Sequence, residues 1–200
     1  MRTIHLLVLT MMTCCLHFAN AGDWNLAKDK NGIMVYTREA EGSDIKEFKA
    51  ITTLDANLED IIVVLQDYEN YPKWYDHVKT SYLIEKKENE ANIYHLEMGM
   101  PFPFSNRDVV CKMVIDDSKD WVEVWITNEI GIKPPDDGIV RMPVASGSWK
   151  LKQISSNKVE VHHQFKGDPA GNIPAGIVNM FLVAGPLNTM TQLQEYISSR

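Results

Sequence analysis

Cysteine is scarce in this 200-residue chain: Cys14, Cys15 and Cys111 are the only three, and two of them precede residue 16. A scaffold stapled by disulfides is therefore excluded. Basic residues are also in deficit, with 20 Lys plus Arg against 27 Asp plus Glu and a net charge of −7. Such a balance speaks against nucleic acid, and against an anionic membrane held by charge alone. Beyond the N-terminus no apolar run approaches the roughly 20 residues that a membrane-spanning helix needs. Glycine-rich phosphate loops, CxxC and HExxH are missing as well, which removes the commonest signatures of nucleotide, dithiol and zinc chemistry.

Histidine is equally thin past residue 21, where His77, His95, His162 and His163 stand alone. The last two are neighbours on a strand and point to opposite faces, so they do not chelate one metal together. His77 beside Asp76 has the look of a surface pair, and Cys111 that of an inert core thiol. Asp116-Asp117 and Asp136-Asp137 fall in turns. No catalytic constellation, metal site or cofactor is expected.

What is present begins with a leader. Arg2, an apolar stretch from Ile4 to Leu16 and the A-x-A motif Ala19-Asn20-Ala21 predict a secretory signal peptide over residues 1–21, cleaved after Ala21. Lipidation at Cys14 or Cys15, or an uncleaved anchor, is the alternative. The remaining 22–200 form one domain, uninterrupted by repeat or linker, with an expected location outside the cytoplasm, secreted or periplasmic.

The stretch from Asn172 to Ile197 organises that domain. Asn172 is the expected helix cap and Pro174 fits the first turn. Ile177, Phe181, Ala184, Leu187, Met190, Leu193 and Ile197 recur at helical spacing and define one apolar face. Val178, Met180, Leu182 and Val183 add a second face to the first half. Pro186, after Gly185, predicts a kink or a joint. Such a helix either roofs a ligand or is simply buried.

Upstream, Ile33–Arg38 and residues 45–54 predict a hairpin, and Asn57–Gln66 a helix with Glu59 and Asp60 in its first turn. A tight aromatic segment, Tyr68 to Tyr75, follows. Strands are expected over 78–87, 91–100, 105–116, 121–129, 139–154 (with a break at Gly147) and 158–167, the first two joined by a turn at Glu88-Asn89-Glu90. Short polar turns between successive strands imply an antiparallel sheet. The fold class is α+β, with the sheet curled around the long C-terminal helix.

Alternation sorts the side chains. Tyr94, Leu96, Met98 and Met100 share a face, as do Arg107, Val109, Cys111, Met113 and Ile115, and Val159, Val161, His163 and Phe165. Arg107 and His163 are thus ionisable groups on apolar faces. Arg107 serves in a structural ion pair, or simply stands at the strand end, or contacts the ligand. His163 is either a satisfied core histidine or a ligand contact.

Trp24, Gly32-Ile33 to Arg38, the Asp67–Trp74 segment, Pro101 with Pro103, Ser105-Asn106-Arg107-Asp108, Gly147-Ser148-Trp149 and the helix start Ile173-Pro174 to Asn179 together resemble the START (steroidogenic acute regulatory protein-related lipid transfer) domain. The resemblance spans residues 24–197 and implies the helix-grip fold, with an internal apolar tunnel between sheet and helix that holds one lipid. Arg107, His163, Tyr94, Met98, Met113, Trp149 and Phe181 then become the candidate ligand-binding residues. The cholesterol-binding branch of the family has an arginine where this chain has Met113, so a sterol read by a buried acid–arginine pair is not expected. Choline binders use an aromatic cage, for which Trp121, Trp125, Tyr94 and Trp149 are available. The expected partner is a lipid or other hydrophobic small molecule, carried or sensed by a monomer in transient contact with membranes. An enzyme of the polyketide cyclase type, with His163 or Tyr94 as acid or base, and a partner-binding domain with a filled core are the alternatives. Gly185-Pro186 and the 101–103 and 131–138 loops are the expected gate.

Overall fold

The computed structural model describes residues 22–86 and 91–200, so the leader and the turn at 88–90 lie outside the described residues. The chain runs β1 (Asn25–Lys30), β2 (Ile33–Arg38), β3 (Glu47–Leu54), α1 (Leu58–Gln66), a 3₁₀ turn (Tyr68–Lys73), β4 (Val78–Lys86), β5 (Asn92–Met98), β6 (Arg107–Asp116), β7 (Val122–Asn128), β8 (Val140–Arg141), β9 (Val144–Ser155), β10 (Lys158–Asp168) and α2 (Ala175–Ser198). The strands form one sheet in the order β1-β2-β3-β10-β9-β7-β6-β5-β4, with β8 alongside β6. All neighbours are antiparallel except β8, which pairs with β6 in parallel. The curved antiparallel sheet and the C-terminal helix are those that the residue pattern predicts.

Register sets the inner face. Ala50 lies opposite His163, Phe48 opposite Phe165, and Val161 opposite both Thr52 and Leu151. On the other wing Tyr94 faces Cys111, and Met113 faces Ile126. Most of these side chains are buried on the concave side, as a period of two requires. One end of the trough is filled by Ile61 and Leu65 of α1 and by Met190 and Leu193 of α2, all fully buried. The first half of α2 is different: Ile177, Val178, Phe181, Leu182 and Val183 are only half-buried.

Several local expectations are corrected. β1 is an addition to the predicted strands: all six of its residues are exposed and neither face carries a hydrophobic signature. The break in the 139–154 strand falls at Met142-Pro143, where proline has no N–H to donate. Gly147 lies inside β9, opposite Phe165 and Ile126. A Cβ there would come within 2.5 Å of the Gln164 carbonyl oxygen, so glycine serves close packing at this point. α2 is capped by Pro174, not by exposed Asn172, because the proline ring sets the backbone from which the helix starts. It runs unbroken through buried Pro186 in place of the expected joint. Thr189 and Met190, buried in the turn after the proline, seat the helix there.

Candidate functional site

Between the concave sheet and the first half of α2 lies a cavity of about 180 Å³. Val178, Phe181 and Leu182 form its roof, and Tyr94, Leu96, Met98, Val109 and Ile126 much of its floor. Six of the seven candidate ligand-binding residues line it: Arg107, His163, Tyr94, Met98, Trp149 and Phe181. Met113 does not. It is buried farther along β6, where its sulfur accepts the Tyr68 hydroxyl at 3.3 Å.

His163 is a fully hydrogen-bonded histidine. Its Nδ1 lies 3.2 Å from the Ser148 carbonyl oxygen and its Nε2 3.0 Å from the Tyr75 hydroxyl. A neutral ring meets both: Nδ1–H donates to the carbonyl, and Nε2 accepts the phenolic proton. The ring stacks on Trp149 at 3.8 Å between centroids, with an interplanar angle of 3°. Burial, only partly offset by the Ser148 bond, lowers its pKa to about 4. Tyr75 also lines the cavity, and its oxygen keeps acceptor capacity. Nothing but its place in the aromatic segment marks Tyr75 in the sequence.

Burial also pushes the Cys111 thiol up to about 12 and the Tyr94 phenol well above its ordinary value. An efficient general acid or base has a pKa near the working pH, and none of these three groups does. The arrangement weighs against His163 or Tyr94 in acid–base catalysis.

Arg107 enters the cavity from the start of β6 and is 4% exposed. Its guanidinium donates to three backbone carbonyls: Nε to Pro169 at 2.8 Å, Nη1 to Ser105 at 2.6 Å and Nη2 to Ala170 at 2.9 Å. These bonds clamp the link between β10 and α2 onto β6. The structural role is therefore realised, but with carbonyls in place of an acid.

At the α2 side, Asp76 receives Asn188 Nδ2 at 3.3 Å, and its backbone N–H donates to the Thr189 hydroxyl at 3.2 Å. His77 stands 3.4 Å from the same carboxylate and meets Phe181 edge-on. The pair thus ties the aromatic segment to α2. Helical periodicity does not reveal this use of Thr189, because its partner is 113 residues away.

Trp121 and Trp125 lie outside the cavity, beneath Lys152 and Lys150 at 5.6 and 5.7 Å. Of the four aromatics considered for a cage, only Tyr94 and Trp149 enter the cavity. Glu97 is spent on Asn106 at 2.6 Å. A buried acid–arginine cluster does exist on the opposite side of the sheet. There Asp108 accepts Arg141 Nε and Nη2 at 2.8 Å each and sits 3.0 Å from His95 Nε2. The sequence places His95 on the outer face; what it does not show is that Tyr82 and Arg141 cover that face here. Among the described residues no group of three His, Cys, Asp or Glu is placed to hold a metal, and no helix is long and apolar enough to cross a membrane.

Comparison with known proteins agrees with this geometry. The chain is 30% identical over 183 residues to the uncharacterized protein PA1579 of Pseudomonas aeruginosa, covering 91% of this chain and 90% of that one. It is 24% identical to the phosphatidylcholine transfer protein of Rattus norvegicus, over 78% of this chain and 75% of the relative. The crystal structure of a STAR-related lipid transfer protein from Xanthomonas axonopodis superposes with a TM-score of 0.81 at 32% identity, over 88% of this chain and 98% of that one. With the START domain sequence model matching residues 17–191, the chain belongs to the START domain family.

Proposed function

We propose that the protein binds a lipid or another hydrophobic small molecule in the cavity under α2, and carries or senses it outside the cytoplasm once residues 1–21 are removed. The observation that carries this reading is the apolar cavity beneath the half-buried first half of α2. Each methylene taken from water contributes about 0.8 kcal/mol, so an acyl chain needs few polar contacts to be held. The lipid-transfer names of two relatives support the same reading. Arg107 and the Tyr75–His163 pair supply the polar contacts. Phe102, 97% exposed in the 101–103 turn, and Met180, 73% exposed on α2, suit transient contact with a membrane during exchange. Entry then proceeds by movement of α2 with the 101–103 and 131–138 loops. In this reading the carrier acts as a monomer.

Native mass spectrometry of Gly22–Arg200, purified without detergent, tests this. A stoichiometric adduct that solvent extraction identifies as lipid is the expected result. A compact protein that stays unliganded when offered lipid vesicles overturns the proposal.

A further inference from the structure

We propose that Arg107 is an anion site, and that the occupant of the cavity is a single-chain amphiphile ending in a carboxylate or a phosphate monoester. The inference rests on the lipid reading above and specifies its ligand.

The argument starts from charge. Arg107 is 4% exposed, and no carboxylate among the described residues lies within 4.0 Å of its guanidinium. Three carbonyl dipoles orient this cation without neutralising it. A buried cation is held at a cost unless a countercharge joins it, and the space beside this one is the ligand cavity. A guanidinium has five N–H donors, of which the protein uses three. One remains on each of Nη1 and Nη2, a fork suited to two oxygens of one acid group. Asp76, the cavity's acidic side chain, is engaged by Asn188. It stands two residues before Val78, which pairs with Met98, the β5 partner of Arg107, so both charges lie at one rim of the trough, the acid already engaged and the arginine without a countercharge.

Size supplies the second constraint. A cavity of about 180 Å³ is smaller than the roughly 300 Å³ at which pockets for drug-sized ligands begin, so a chain seats fully only as α2 and the lining move apart, and one chain demands less of that movement than two. Of the four cage candidates only Tyr94 and Trp149 line the cavity, whereas Arg107 offers an acid group both a charge and directed donors.

Displacement of Nile red, an uncharged apolar dye, from the intact protein at pH 8 tests the proposal. Oleate, oleyl alcohol and oleoyl lysophosphatidate share one chain and differ in the head. At least one acid should displace the dye at a tenfold or more lower concentration than the alcohol. The better acid identifies the source as a fatty acid or a phospholipid. In Arg107→Gln the advantage should fall below twofold, while Arg107→Lys, which keeps the charge but not the fork, retains only part of it. Because Arg107 also clamps the entry to α2, the wild-type comparison of each acid with the alcohol decides the proposal if Arg107→Gln does not fold. Equal displacement by all three compounds overturns the anion site and leaves lipid binding intact. Failure of the dye and all three compounds to bind overturns the lipid reading itself.

Discussion

Protonating His163 means ionising a ring packed between Trp149 and Phe48, with its Nε2 already bound to Tyr75. Its pKa is near 4 in the folded protein, against an ordinary 6.5. The unfolded chain therefore binds the proton more readily. Above pH 6.5 both states are neutral and the residue is indifferent to pH. As pH falls from 6.5 toward 4, stability is lost, by about 3 kcal/mol from this group if the shift is fully realised. Asp108, whose carboxyl is lowered below 3.8 by Arg141 and His95 against the opposing effect of burial, contributes stability that is lost in a separate, more acidic window. Denaturant midpoints between pH 7 and 4 should fall steeply for the wild type and more gently for His163→Gln. Identical slopes would show that the folded ring titrates normally. Gly147 offers a steric counterpart. A methyl group there meets the Gln164 carbonyl oxygen and Phe165, partly backbone that cannot rotate away. Gly147→Ala should cost about 1–3 kcal/mol, read by urea unfolding, and a neutral result would mean that β9 can shift.

α2 divides by burial. Its second half is seated by Met190 and Leu193, and its first half is tied at Asn179, which accepts the Lys46 backbone N–H at 3.0 Å. A disulfide between Lys46→Cys and Asn179→Cys should slow lipid exchange with vesicles at least tenfold when oxidised and release it when reduced. Unchanged exchange would locate the gate elsewhere. The elements that could be foreseen are those with one wet and one dry face: alternation in β5, β6 and β10 and the apolar face of α2 predict both the sheet and its inner residues. β1 has two wet faces and left no such trace. Met113 has the correct orientation but the wrong depth, since alternation says which way a side chain points and nothing of how far along the trough the cavity extends. Arg107 illustrates the same limit. Its inward placement is legible, but its carbonyl partners at 169 and 170 depend on the chain's return after β10. Tyr75 and Thr189 find their partners only through tertiary contacts.

The sheet is continuous only because β3, ending at Leu54, pairs with β10, beginning at Lys158. That one junction joins the two wings, β1-β2-β3 and β9-β7-β6-β5-β4, and α2 covers both. Contacts between segments about a hundred residues apart form late, after the chain has met the entropy of closing so long a loop. A ribosome or a translocon delivers the N-terminus first. β3 therefore emerges with Phe48, Ala50 and Leu54 facing no partner, and remains an open edge until the last quarter of the protein has been delivered. Synthesis thus leaves a long interval in which the unfinished wing is exposed to aggregation or to a chaperone, and the cavity comes into existence only when the final helix arrives.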